Sequence, residues 1–168
     1  MRPRGGPTAP TSDTADREMV LSRIVDAPRE LVFDVWLDPE HVGRWWGPNG
    51  FRTTTHEMDP RPGGVWRFTM HGPDGTDYGN RIVYLDIERP ERLVYRHSGE
   101  AGTEDVRFHT TVTFTMEGTQ TRVTLRSLFE SAAERDRVVE KYGAIEGGEQ
   151  TLARLATYVA RQSGRASP

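Results

Sequence analysis

Residues Val106–Met116 read VRFHTTVTFTM, and after the turn at Gly118 the stretch Arg122–Phe129 reads RVTLRSLF. Val106, Phe108, Val112, Phe114 and Met116 alternate on one side, with Thr110 among them. Arg107, His109, Thr111, Thr113 and Thr115 fall on the other. Successive strand side chains point to opposite faces, so this pattern predicts a strand with one apolar and one polar face. Gly118 makes a hairpin, and Val123 and Leu125 continue the apolar face. A slip of one residue would bury Arg107 and His109, so the pattern also sets the register.

The elements before this hairpin follow the same period. Phe51–Met58 predicts a strand, Pro60–Gly64 a turn and Val65–His71 the next strand. Gly72-Pro73-Asp74-Gly75 has tight-turn chemistry. Tyr78–Glu88 pairs back, Arg89–Glu91 turns the chain, Arg92–Ser98 is another strand and Gly99–Thr103 a loop. At the front, Met19–Val25 predicts the first strand. Pro28–Leu37 carries Leu31, Val32, Val35 and Trp36 along one helical face. Asp38 caps a second short helix that starts at Pro39 and runs to about Arg44. At the back, Ser131 and Glu134 form a capping box. From about Ala132 to Ala160 the pattern is helical, with Ile145, Gly148, Leu152, Leu155 and Val159 as a stripe.

One strand, two short helices, six strands joined by turns and a long amphipathic helix define an α+β architecture. A curved antiparallel sheet of six or seven strands is covered by the C-terminal helix. The chain has 168 residues, enough for a single domain over about residues 17–161. Residues 1–16 are rich in Pro, Gly, Thr and Ser and predict a disordered tail; residues 162–168 predict a flexible one.

Composition excludes several functions. There are no cysteines, so disulfides, thiolate metal sites and cysteine nucleophiles are ruled out, and a reducing cytoplasm is the expected location. A net charge of −3 argues against a dedicated nucleic-acid binder. No apolar run reaches the roughly 20 residues of a membrane span. The five histidines His41, His56, His71, His97 and His109 show no metal spacing, and are read as exposed or half-buried strand residues. Asp74–Asn80 lacks the closing glutamate of a calcium loop and is read as a hairpin. No nucleophile-and-base set, phosphate loop or dinucleotide motif is present, so no catalytic residue, metal or cofactor is assigned.

Several pieces occur together in order: Ala27-Pro28, Val32-Phe33, Asp38-Pro39, Trp45-Trp46-Gly47-Pro48, Gly50-Phe51, Arg61-Pro62-Gly63-Gly64, Met70, Pro73-Asp74-Gly75, Pro90-Glu91-Arg92-Leu93 and Thr151-Leu152. From about Val20 to Ala160 the chain resembles the bacterial SRPBCC proteins of the activator-of-heat-shock-protein-90-ATPase homologue type, within the START-like superfamily. The resemblance implies a helix-grip fold with a hydrophobic cavity between sheet and C-terminal helix. It implies little about chemistry, because the superfamily includes lipid carriers, polyketide cyclases and co-chaperone domains. The sequence departs from the family pattern at Glu146-Gly147-Gly148, where an aromatic commonly follows the Glu-Gly of the last helix.

The candidate ligand-binding residues are Trp45, Trp46, Phe51, Trp66, Phe68, Met70, Tyr84, Phe108, Phe114, Ile145, Gly148 and Leu152. Trp45 and Trp46 would stand at a cavity mouth, with one of the two rings facing inward and an indole N–H as polar handle. Trp66, Phe68 and Met70 alternate on one strand, and Tyr78, Asn80, Ile82 and Tyr84 on the next. Each of these is equally a core residue. Gly148 either leaves space beneath the helix or receives a neighbour such as Trp66 or Tyr84. Arg61, Arg67 and Arg81 are the candidate buried charges, with Glu57, Asp59 or Glu146 as partners.

These residues favour binding or carriage of a small apolar molecule. A cavity enzyme of the cyclase or aromatase kind is the alternative, and requires a convergent ionisable group in the pocket. A chaperone-binding module ranks last, because no additional amino-terminal domain is seen. Free sheet faces and edges leave a homodimer open.

Overall fold

The computed structural model describes residues 14–99 and 107–164. The expectations for residues 1–13, for the loop after Gly99, for Val106 and for residues 165–168 fall outside the described residues. Thr14 to Asp16, placed in the tail by composition, lead into the sheet through a 3-10 turn, Ala15–Arg17. There Arg17 Nη1 donates to the Phe129 carbonyl at 2.8 Å.

Seven strands form one antiparallel sheet: β1 (Glu18–Val25), β2 (Arg52–Met58), β3 (Val65–His71), β4 (Asp77–Glu88), β5 (Arg92–Gly99), β6 (Arg107–Glu117) and β7 (Gln120–Phe129). Their spatial order is β1-β7-β6-β5-β4-β3-β2. Each sequential pair from β2 to β7 is a hairpin neighbour, and β1 closes the far edge against β7, with Leu21 opposite Leu125. The register of the β6–β7 hairpin is the one the alternation demands: Phe114 faces Val123 and Val112 faces Leu125. Phe114 is buried, whereas Arg107 and His109 lie on the outer face.

Helix α1 (Arg29–Leu37) follows Pro28, which stands as its N-cap, and buries Val32, Phe33, Val35 and Trp36. Asp38 caps α2 (Pro39–Val42) by accepting the Glu40 N–H at 2.8 Å. Ser131 Oγ accepts the Glu134 N–H at 3.0 Å. Only half of the expected capping box forms, because the Glu134 carboxylate receives Arg137 Nη2 at 2.7 Å instead. The expected continuous last helix is two helices, α3 (Ala132–Tyr142) and α4 (Ala144–Gln162). Gly143 separates them at φ 59°, a left-handed conformation that ends a helix at little cost in glycine. The buried stripe of α4 is Leu152, Leu155 and Val159.

An unbroken series of rings crosses the inner face: Phe33, Phe114, Trp36, Trp45, Trp46, Trp66, Phe68, His97, Phe108 and Phe129. Each successive pair has centroids 4.0 to 6.0 Å apart. Four of these nine pairs are edge-to-face, an arrangement ring quadrupoles favour. Phe114, expected to face the long helix, meets the rings of Phe33 and Trp36 on α1.

Candidate functional site

Burial divides the inner face of β3–β6 in two. Trp66, Phe68, Ile82, Tyr84, Leu93, Tyr95, Thr110, Val112 and Phe114 are closed off from solvent. Met70, Tyr78, Asn80, His97 and Phe108 are half-buried. These five lie at the finish of β3 and β5 and the start of β4 and β6, which antiparallel pairing brings to one end of the sheet. Met116, at the opposite end of β6, is also exposed. The inner face is thus accessible beside a polar pair, His97 and Asn80, set among Phe68, Met70 and Phe108.

The geometry of that pair fixes its hydrogen atoms. Asn80 Nδ2 donates to the Tyr78 carbonyl at 3.0 Å, so its Oδ1 is the atom turned to His97. His97 Nε2 lies 2.9 Å from Asn80 Oδ1 and must carry the proton. Nδ1 is then a bare acceptor, with no bonding partner among the described residues. The Phe108 and Phe68 rings lie 4.9 and 6.0 Å from the imidazole. This enclosure removes water from the imidazolium and pushes the His97 pKa down to about 4, so the ring is neutral at pH 7.

A row of hydroxyls lies deeper. Tyr84, Tyr95, Thr110 and Ser127 are direct cross-strand neighbours on β4, β5, β6 and β7. Thr110 and Ser127 share a hydrogen bond of 2.9 Å, and Thr110 stands directly opposite Tyr95. The Tyr84 hydroxyl is buried without a partner among the described residues. Burial drives the pKa of both tyrosines well above the usual phenol range.

The loop after α2 frames the half-open end, and α4 holds it. Arg154 Nη1 reaches four carbonyls of this loop: Gly47 at 2.8 Å, Pro48 at 3.0 Å, Phe51 at 3.3 Å and Trp46 at 3.5 Å. Gln150 Oε1 accepts the Asn49 N–H at 3.0 Å. The loop can curl around one guanidinium because Gly47 and Gly50 take φ of 108° and 86°, open to glycine and strained for other residues. Phe51 sits beside Tyr78, with ring centroids 6.1 Å apart.

Of the twelve candidate residues, five are half-buried: Phe51, Met70, Phe108, Gly148 and Ile145, the last on the first turn of α4. Trp45, Trp46, Trp66, Phe68, Tyr84, Phe114 and Leu152 are buried in the packed interior. Only one of Trp45 and Trp46 was expected inside, yet both are. The turn after α2 directs both rings onto Trp36, and Trp45 Nε1 is satisfied by the Val35 carbonyl at 3.2 Å. Gly148 borders neither open space nor Trp66 or Tyr84. A β-carbon there would collide with Leu21 Cδ1, so the place of the family's aromatic is taken from the edge strand β1.

The arginines expected to be buried are on the outside. Arg61 pairs with Asp59 at 2.9 Å and Arg67 with Glu57 at 3.6 Å, both in exposed bridges, and Arg81 is exposed. His97 was missed, although Leu93, Tyr95 and His97 alternate within Arg92–Ser98 and that alternation places the ring inside. Two open grooves lie elsewhere. One of about 620 Å³ runs between α1, α2 and the Pro60 turn, lined by Leu31, Leu37, His41 and Ile87 among others. The other, of about 290 Å³, lies at the Arg17, Arg96 and His109 rim and touches Phe108. Among the described residues no three acidic or imidazole side chains cluster in a metal-holding arrangement, and no helix is long and apolar enough to cross a membrane.

The architecture has close counterparts. A solution NMR structure of a protein from Arthrobacter aurescens is 26% identical, covers 89% of each chain and superposes with a TM-score of 0.81. Crystal structures of proteins from Nitrosomonas europaea (20% identity, 89% of this chain and 98% of that one, TM-score 0.79) and Mycobacterium smegmatis (23%, 86% and 91%, 0.77) share the fold. No curated protein matches the chain. The family model described as Activator of Hsp90 ATPase homolog 1-like protein matches residues 26–160, and the chain belongs to that family.

Proposed function

We propose that the protein binds a small, largely apolar molecule at the half-open end of its inner face, between β3–β6 and the loop–α4 frame. The observation that carries this reading is a boundary. The inner face is closed over most of its extent and half-accessible where apolar Met70 and Phe108 flank the polar His97–Asn80 pair. Ligand sites are concave, mostly apolar and furnished with few polar groups, which is the composition found here. Phe51, beside Tyr78, supplies further apolar wall from the loop, and half-buried Ile145 on α4 is the candidate wall residue from the helix. The helix-grip resemblance, with its cavity between sheet and C-terminal helix, supports the same place.

A cavity enzyme is the second reading. It is favoured by one observation, the ionisable His97 with its burial-lowered pKa on the inner face. Residence in the cytoplasm and pairing of two copies accord with either reading.

Organic extraction of purified protein followed by mass spectrometry tests the proposal, together with titration of the neutral probe N-phenyl-1-naphthylamine. Saturable fluorescence enhancement is expected, and Phe108→Asp is expected to weaken it at least tenfold. A folded protein that yields no extractable molecule and gives no saturable signal overturns the reading.

A further inference from the structure

Resting on the binding reading above, we infer that the ligand is an uncharged molecule whose apolar body carries a hydrogen-bond donor, a hydroxyl or an N–H, received by Nδ1 of His97. The inference follows from which polar atoms at the half-open end are already engaged. Asn80 spends its amide N–H on the Tyr78 carbonyl and its oxygen on His97 Nε2. The indole N–H groups of Trp45 and Trp66 are held by the Val35 carbonyl and by Thr55 Oγ1 at 3.0 Å. Arg154 in the frame commits its Nη1 to loop carbonyls. On the His97 ring Nδ1 is left as an acceptor, flanked by Phe68 and Phe108 and held in place by the Asn80 bond on the opposite side of the ring.

Charge is excluded by the same inner face. Its positions on β3–β6, Trp66, Phe68, Met70, Tyr78, Asn80, Ile82, Tyr84, Leu93, Tyr95, His97, Phe108, Thr110, Val112 and Phe114, include no arginine, lysine, aspartate or glutamate. A carboxylate entering here would lose its hydration with no counter-charge on the sheet, the frame's cation Arg154 already serving the loop carbonyls through Nη1, and would meet the lone pair of a neutral imidazole. A molecule with an acceptor but no donor would leave Nδ1 desolvated and unpaired.

Three probes share one apolar body and differ only in the polar group: 2-naphthol, 2-methoxynaphthalene and 2-naphthoate. At neutral pH, 2-naphthol is expected to bind about tenfold tighter than 2-methoxynaphthalene, the effect of one hydrogen bond, with 2-naphthoate weakest. His97→Phe should bring naphthol and methoxynaphthalene to nearly equal affinity. Equal binding of those two by the native protein, or tightest binding of naphthoate, overturns the inference and leaves the binding reading standing. Binding of none overturns both. Should His97→Phe fail to fold, the native protein still decides by ¹⁵N NMR of the imidazole. The Nδ1 resonance must move with 2-naphthol and stay put with 2-methoxynaphthalene, and an unmoved Nδ1 under saturating 2-naphthol overturns the inference.

Discussion

Gly148 of α4 lies directly against Leu21 of β1, so near that a β-carbon on residue 148 would overlap the Leu21 methyl. The glycine brings the first turns of α4 down onto the edge strand, and the neighbouring Gly147 does the same against Pro48 Cγ. Two glycines inside a helix cost roughly 1 kcal/mol each relative to alanine, and close packing on both neighbours offsets that cost.

Gly148→Trp is therefore expected to destabilise the protein by about 3 kcal/mol, the upper end of typical overpacking costs. In a Leu21→Ala background the loss should shrink by more than 1 kcal/mol, the non-additivity of residues in contact. Denaturant midpoints of the four proteins check this. Full additivity would show that the two residues do not share the space.

Much of this fold was legible from alternation alone. The run from Val106 to Met116 fixed both register and inner face because a slip would bury Arg107 and His109. The split at Gly143 was harder to read, since the apolar stripe from Ile145 onward has the same period as the helix before it, and only the backbone conformation of one glycine ends it. The Trp45-Trp46 pair was misjudged for a related reason. Adjacent residues diverge on a regular element, but the irregular turn after α2 sends both rings inward onto Trp36. His97 could have been found, because Leu93, Tyr95 and His97 alternate like any inward set. The Asn80 bond that makes it a defined acceptor joins strands 17 residues apart and leaves no local trace.

The Tyr84 hydroxyl is buried with no partner among the described residues, whereas Thr110 stands opposite Tyr95 and is placed to bond its hydroxyl. An unmade hydrogen bond costs desolvation with no return, and a made one contributes about 1 kcal/mol. Tyr84→Phe should leave stability unchanged or raise it by about 1 kcal/mol, and Tyr95→Phe should lower it by about 1 kcal/mol. Urea unfolding of both variants checks the contrast; a loss in Tyr84→Phe as large as that in Tyr95→Phe would mean that the hydroxyl is satisfied.

Arg154 holds the 46–51 loop through four of its carbonyls, two of which, those of Trp46 and Pro48, also accept from Thr53 Oγ1 at 3.0 Å and the Phe51 N–H at 3.1 Å. Arg154→Met keeps much of the apolar stem and removes the guanidinium. A loss of about 2–3 kcal/mol is expected, consistent with hydrogen bonds to a charged group. Limited proteolysis should show new cleavage between Trp46 and Phe51. An unchanged digestion pattern would mean the loop holds its shape without Arg154.

His97 gives the stability a signed pH dependence. Its folded pKa is lowered to about 4, against 6.5 unperturbed, so between these values the unfolded chain binds the extra proton. The contribution of neutral His97 is complete above about pH 6.5, falls as the pH drops toward 4 and is exhausted below that, amounting to about 3 kcal/mol at most. The difference in unfolding free energy between the native protein and His97→Asn, followed from pH 7 to pH 4, should narrow by that order. A constant difference would mean that His97 titrates normally.

The central claim is that an apolar ligand enters at one end of the inner face. Methyl and imidazole NMR during titration with N-phenyl-1-naphthylamine tests it most directly. The methyl groups of Met70 and Ile145 and the His97 ring should shift along one saturating curve, while Val20 and Ile24, exposed on the outer side of β1, stay fixed. Saturable shifts confined to Leu31, Leu37 and Ile87 in the groove beside α1, with Met70 and His97 unmoved, would contradict it.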